Sequence, residues 1–347
     1  MTFLDDLSLS VPIIQAPMAG VSTPAMAAAV SEAGALGSLG LGASTPHAAR
    51  AAILETRALT GRPFNVNVFC HAPAERDASV EQRWIDRSRP LLAKFGATPP
   101  TAIHEIYRSF RDDDEMLAVL LETRPAVVSF HFGLPRADQI AALRKLGIRL
   151  FGCATSTAEA GALDAAGVDA IIAQGWAAGG HRGIFNPDAP DAQLSTEKLT
   201  MSIVAQTHLP VIAAGGLMDG ADIWRALGWG ATAAQLGTAF VACDESAADA
   251  AYRDRLMAGG DTVMTAAISG RPARCLTNSF TQWAEPISPD AIPAYPCTYD
   301  LGKAINAAAK AAGETGYGAQ WAGAGAGRAR RLPAGDLIRQ LEREMKS

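Results

Sequence analysis

Eight short apolar runs recur along this chain, each followed by a turn and a helix-like stretch, and no other feature narrows the fold as much. They are Pro12–Met18, Ala35–Gly40, Phe64–Phe69, Ala126–Phe132, Arg149–Ala154, Ala170–Gln174, Pro210–Gly215 and Ala233–Thr238. Continuously apolar strands alternating with helices imply parallel pairing, with both faces of the sheet covered. Eight such units predict an α/β fold of the (β/α)8 TIM-barrel type. An open doubly wound sheet would carry Gly-x-Gly-x-x-Gly after its first strand, and Ala16-Pro-Met-Ala-Gly20 does not match. The 347 residues accommodate a barrel of roughly 250 residues with additions.

Helices are expected over 138–146, 196–207 and 222–227, and from a Thr157 cap through Ala166 to a stop at Gly167. Residues 71 to about 122 fall outside the repeat and read as a helical excursion inserted after the third strand, with helical patterns over 84–95 and 113–122. The expected division is a barrel over 1–245 and a C-terminal helical extension over 246–347 that packs on the barrel and completes the site. The proline-rich stretch Pro286–Pro296 within the extension should be irregular.

Charge and cysteine usage exclude several function classes. The net charge of -5 comes without a basic stripe or an aromatic platform, which argues against nucleic acid. Arg328-Ala-Arg-Arg331 reads as a solvated face. The five cysteines Cys70, Cys153, Cys243, Cys275 and Cys297 form no Cys-x-x-Cys pair, so neither zinc nor a disulfide framework is expected. No apolar run reaches the roughly 20 residues of a membrane span, and the first residues lack a signal-peptide pattern. A cytoplasmic protein is the resulting expectation.

In such a barrel the chemistry sits where strands end, at the C-terminal face. That rule selects Pro17, Met18, Asn67, His131, Gln174 with the loop to His181, Gly215 and Gly216, and Gln235-Leu236-Gly237-Thr238. Glycines after strands seven and eight are where such barrels often hold a phosphate. Asn65 and Asn67 would share one strand face, and Gln174 and Gln235 repeat the pattern of an amide at a strand end. Amides both donate and accept, which suits a polar heterocycle such as an isoalloxazine. The loop Gly175-Trp-Ala-Ala-Gly-Gly-His181-Arg-Gly183 presents an ionisable ring among glycines, whose backbone could approach a ligand closely.

Pro12-Ile-Ile-Gln-Ala-Pro-Met-Ala-Gly20, Asn65-Val-Asn67, Gln174-Gly-x-x-Ala-Gly-Gly-His181, Pro210-Val-Ile-Ala-Ala-Gly-Gly216 and Gln235-Leu-Gly-Thr238 together resemble the nitronate monooxygenases. The resemblance covers most of residues 11 to 245. It implies an FMN barrel that oxidises alkyl nitronates with dioxygen to a carbonyl compound and nitrite. The implied mechanism is single-electron transfer from nitronate to flavin, and the implied substrate is propionate 3-nitronate. On this resemblance Pro17, Met18, Asn67, Gln174, Gly179, Gly180, Gly215, Gly216, Gln235, Leu236, Gly237 and Thr238 would hold FMN, and His181 would be the catalytic histidine. Ser129-Phe-His131 and Tyr295-Pro-Cys-Thr-Tyr299-Asp-Leu-Gly-Lys303 resemble class I of that family. There His131, Tyr295, Tyr299 and Lys303 would offer hydrogen bonds and positive charge to the nitronate. A helix beginning near Pro296 would put Tyr299 and Lys303 on one face. His181, with an unperturbed pKa near 6.5, would act as base if neutral nitroalkanes are used.

The nearest competing reading is an NAD(P)H-dependent quinone or enoyl reductase on the same flavin barrel. An inosine-phosphate dehydrogenase type would need a cysteine between Gly175 and Asn186, where there is none. A non-catalytic binder that kept the barrel is the reading from a different class. The expected partners are a small-molecule nitronate and dioxygen, with neither nucleic acid nor membrane, and a homodimer stays open because the sequence does not separate an interface from an exposed apolar patch.

Overall fold

The computed structural model describes residues 3–346. Its centre is eight parallel strands: β1 Ile13–Gln15, β2 Gly37–Gly40, β3 Phe64–Phe69, β4 Val127–His131, β5 Arg149–Ala154, β6 Ala170–Gln174, β7 Val211–Ala214 and β8 Ala233–Leu236. Each lies within the apolar run that predicts it. Pairing follows the order β1-β8-β7-β6-β5-β4-β3-β2, and a parallel bridge from Ile14 to Leu36 closes the ring. This is a (β/α)8 TIM barrel.

Strand alternation explains the two cores. Ile14, Val127, Phe151, Ile172 and Ile212 fill the barrel interior, while Val66, Val128, Leu150 and Ile171 pack outward against helices. Full burial of each such side chain contributes on the order of 1.5–3 kcal/mol. The first two outer helices, Pro24–Glu32 and Pro46–Leu59, start alike: Thr23 and Thr45 cap them through their hydroxyls, with proline in the first turn.

Several helix ends differ from the sequence reading. The cap of helix Thr157–Ala166 is Ser156, whose Oγ accepts from Glu159 N, rather than Thr157; Gly167 ends it at φ +78°. The helix expected over 196–207 stops at Val204, and the Thr207 hydroxyl instead accepts from Leu209 N and donates to Asp164. The excursion's first helix runs Ala78–Lys94, longer than its apolar pattern because Asp77 caps it.

The additions divide less simply than a cut at 245. Helix Asp114–Thr123 packs on Pro46–Leu59 and shares the outward core of β3 and β4, so it serves as the barrel's own third helix. Helix Ala78–Lys94 packs instead on Cys297–Ala311, forming a separate core outside the barrel around Trp84, Ile85, Leu92, Phe280, Leu301 and Ile305. The last helix, Ala334–Met345, returns to the barrel. Its Leu337, Ile338 and Leu341 bury between helices Pro24–Glu32 and Gly220–Gly228, where the eighth outer helix belongs. Between β8 and that helix the chain builds a hairpin, β9 Thr262–Thr265 and β10 Ala273–Leu276. The hairpin extends to a third strand, Gly180–His181, with Ala273 opposite His181. The loop after β6 is thereby stitched to residues nearly a hundred positions away.

Candidate active site

A cavity of about 510 Å³ opens at the C-terminal ends of the strands, within the ~300–1,000 Å³ range of small-molecule and cofactor sites. Fifteen predicted residues line it: Pro17, Met18, Asn67, His131, Gln174, Gly179, Gly180, His181, Gly215, Gln235, Gly237, Thr238, Tyr295, Tyr299 and Lys303. Gly216 and Leu236 do not. The Leu236 side chain points outward into the helix-facing core, and a Cβ on Gly216 would meet Ala177. Among the described residues, no carboxylate lines the cavity.

The strand-end amides differ in employment. Gln174 is committed to its own loop: Nε2 donates to His181 O at 3.0 Å, and Oε1 accepts from Gly183 N at 2.7 Å. Asn67 Nδ2 donates to Ser129 Oγ at 2.9 Å, and Asn65 turns to Ser38 and stays out of the cavity. Among the described residues, Asn65 Oδ1 and Gln235 Oε1 are both buried without a hydrogen-bond partner, but of the two only Gln235 lines the cavity, where a bound ligand would relieve the cost. Gly179 makes room for protein rather than for a ligand alone, because a Cβ there would stand 2.4 Å from Gly323 N. A Cβ on Gly183 would stand 2.6 Å from Cys153 Sγ. The Thr238 hydroxyl, expected near a phosphate, accepts from Gly323 N at 2.9 Å.

Arg182 locks the loop from behind. It is 2 % exposed, pairs through Nε and Nη2 with the Asp191 carboxylate at 2.6 and 3.0 Å, and donates to Gln174 O and Thr155 O. Burial pushes the Asp191 carboxyl up, but Arg182 and Gln193 N outweigh it and hold it below the usual carboxylate value.

The two histidines that line the cavity are neutral. Burial, reinforced by His131, Arg271 and His71, lowers His181 to about 3. Burial likewise lowers His131 to about 4, against the raising effect of its bond to His181 O. His131 Nε2 lies 3.2 Å from that carbonyl, so it carries the ring proton and is occupied in holding the loop. His131 therefore brings no positive charge to the cavity, contrary to the sequence reading. Nor does His181 keep its ordinary value near 6.5.

Three tyrosines and a lysine face these rings. Tyr299 and Lys303 share a face of helix Cys297–Ala311, and Tyr295 stands just before it. Lys303 Nζ lies 5.5 Å from the Tyr299 ring centroid and 4.8 Å from that of Tyr107. Burial lowers the Lys303 ammonium somewhat. It raises the phenols, Tyr107 to about 12, so all three stay protonated donors. The Trp321 ring meets that of Tyr299 at 6.2 Å, and its indole, which can only donate, slightly opposes the rise of the Tyr299 phenol. The Tyr295 hydroxyl is buried without a partner. Tyr107 and Trp321 were not foreseen: neither lies on a strand end or a periodic segment, and only the fold brings them in. Cys153 also lines the cavity, but burial pushes its thiol up to about 12, so it is inert.

The family model described as nitronate monooxygenase matches residues 1–344. The chain is 61% identical over 344 residues to the nitronate monooxygenase of Paraburkholderia phytofirmans, covering 98% of this chain and 93% of that protein. It is 51% identical over 343 residues to that of Pseudomonas aeruginosa, covering 98% and 97%. Among solved structures, the nitroalkane oxidase of Streptomyces ansochromogenes superposes with a TM-score of 0.90 at 40% identity, covering 99% of this chain and 98% of that one. FabK from Thermotoga maritima gives 0.75 at 30%, covering 99% and 94%. A barrel whose mouth gathers neutral histidines, phenols and one lysine, matched end to end by these relatives, belongs to the nitronate monooxygenase family of oxidoreductases.

Proposed function

We propose that the protein oxidises alkyl nitronates, propionate 3-nitronate foremost, with dioxygen and a bound FMN, giving a carbonyl compound and nitrite. The observation that carries this reading is the cavity's charge: Lys303 with phenolic donors, and no lining carboxylate. Such a lining favours an anion over a neutral or cationic substrate.

The residues present fit a flavin. The unpaired Gln235 Oε1 calls for a donor, and Pro17, Met18 and Asn67 line the same wall. Gly215, Gly237 and Thr238 lie at the ends of strands seven and eight, where barrels of this type hold a phosphate. Gln174, Gly179 and Gly180 act on the flavin through the loop they shape. The flavin supplies electron acceptance from the substrate and its return to dioxygen.

The chain's own groups do the rest. Lys303 and the Tyr295, Tyr299 and Tyr107 hydroxyls hold the nitro oxygens. His181, held neutral by burial, gains basicity when an anion enters, since opposite charge favours its protonated form. Preformed nitronate needs no proton removed; a neutral nitroalkane would give its α-proton to His181.

Two measurements test this. Heat-released cofactor from the purified protein should be FMN; a colourless protein that FMN cannot reconstitute overturns the flavin assignment. Under anaerobic mixing a nitronate should bleach the flavin rapidly and NADH slowly, and the reverse order would favour an NAD(P)H-dependent reductase.

A further inference from the structure

We infer that Ser269 is a positioning residue that fixes His181 as the Nε2–H tautomer, leaving the Nδ1 lone pair for the substrate. The inference rests on reading His181 as the acid–base group. Ser269 is fully buried in a tight turn ahead of β10, where Ser269 N and Gly270 N both donate to Ala266 O. The turn is pressed against the segment that carries Tyr295: a Cβ on Gly270, at φ +92°, would lie 2.5 Å from Tyr295 N. The hydroxyl therefore has little freedom to move.

That hydroxyl has two neighbours and one proton. Arg271 O, 3.3 Å away, can only accept. His181 Nε2, 2.8 Å away, can do either. Donation to Arg271 O satisfies both contacts only if Nε2 carries the ring proton and donates to Ser269 Oγ. His181 Nδ1 then holds the lone pair. Among the described residues it has no hydrogen-bond partner, and it belongs to a ring that lines the cavity.

Arg271 reinforces the arrangement. It is 4 % exposed, its guanidinium sits 4.4 Å from the Phe132 ring centroid, and that ring meets His181 edge-on at 5.6 Å. A fixed cation behind the ring opposes a second proton on it. Arg271 also donates to Ile184 O, just beyond His181. Residues 269 to 273 thus set the height of the loop by strand pairing and the tautomer of its histidine by one hydroxyl.

The test uses flavin-loaded protein labelled with 15N at histidine. Long-range 1H–15N spectra, assigned through His181→Asn, should show His181 protonated at Nε2 in the wild type. Ser269→Ala should give a mixture of tautomers, and Ser269→Thr should restore the wild-type pattern. Ser269→Ala should also lower kcat/KM on a neutral nitroalkane at least tenfold relative to preformed nitronate. A wild-type ring protonated at Nδ1 overturns the inference without recourse to any variant, as does a Ser269→Ala spectrum identical to wild type. If the tautomers behave as expected but His181→Asn impairs both substrate forms equally, the base role fails while the assignment of Ser269 stands.

Discussion

Replacing Arg182 by Met should destabilise the protein strongly, although residue 182 does not line the cavity. The stem survives the change, but three things are lost. Two charge-assisted bonds to Asp191, at 2.6 and 3.0 Å, disappear, and Gln174 O and Thr155 O lose a donor. Asp191 is left as a carboxylate whose side chain is only 17% exposed. Breaking a buried pair from one side costs about 3–5 kcal/mol, and partial access of water to Asp191 places this case near the lower end. At about 2 °C per kcal/mol for a chain of this size, the melting temperature should fall by roughly 6 °C or more. Removing Asp191 as well, in Arg182→Met with Asp191→Leu, should recover part of the loss, since no unpaired charge remains. It should not recover all of it, because the two carbonyls stay unsatisfied. Urea unfolding of both single variants and the double variant gives the coupling energy directly. A loss below about 1 kcal/mol in Arg182→Met, or no coupling between the positions, would refute the view that this pair holds the loop.

Tyr295→Phe should leave stability unchanged or raise it by up to about 1 kcal/mol, because the lost hydroxyl has no partner, while kcat/KM on nitronate falls about tenfold; thermal melts beside steady-state rates check the split. Gly179→Ala should impair folding and activity far more than Gly180→Ala: the first Cβ meets Gly323 backbone at 2.4 Å, the second meets only Trp321 Cβ at 4.0 Å, an ordinary contact, and costs only the roughly 1 kcal/mol of a left-handed φ of +74°. Stability should also fall on mild acidification. His71, His131 and His181 are lowered to about 4, 4 and 3, so below pH 6.5 the unfolded chain binds protons that the fold excludes. Stability is therefore complete above pH 6.5 and lost as pH falls toward 4, by about 1.4 kcal/mol per pH unit for buried His71 alone. Equal urea midpoints at pH 7 and pH 5 would contradict this, and His71→Phe should flatten the slope by one proton.

The barrel was legible because its strands are buried on both faces and so read as short, mainly apolar runs, interrupted by few polar residues such as Asn65 and Asn67. Tyr299 and Lys303 could be paired from spacing alone once Pro296 marked a helix start. What the chain does not display is which partner a polar group finds. Gln174 and Gln235 look alike in sequence, yet one is consumed by its loop and the other is left unpaired. Tyr107 lies in an aperiodic stretch and reaches the site only because the excursion packs on helix Cys297–Ala311. The lowered basicity of His131 and His181 comes from burial and from Arg271, a residue about ninety positions from His181 with no local sign of its role. Helix Ala334–Met345 shows why a cut at 245 misleads: its apolar stripe belongs to a core built by the first and seventh barrel helices, which the linear order hides.

The proposed reaction oxidises an anionic nitronate in the Lys303-lined cavity. The direct measurement follows oxygen uptake and nitrite release on propionate 3-nitronate, comparing wild type with Lys303→Met. Uptake with matching nitrite, reduced at least tenfold in kcat/KM by the substitution, is the predicted result. Absence of nitrite from any nitronate, or turnover indifferent to the loss of Lys303, would contradict it.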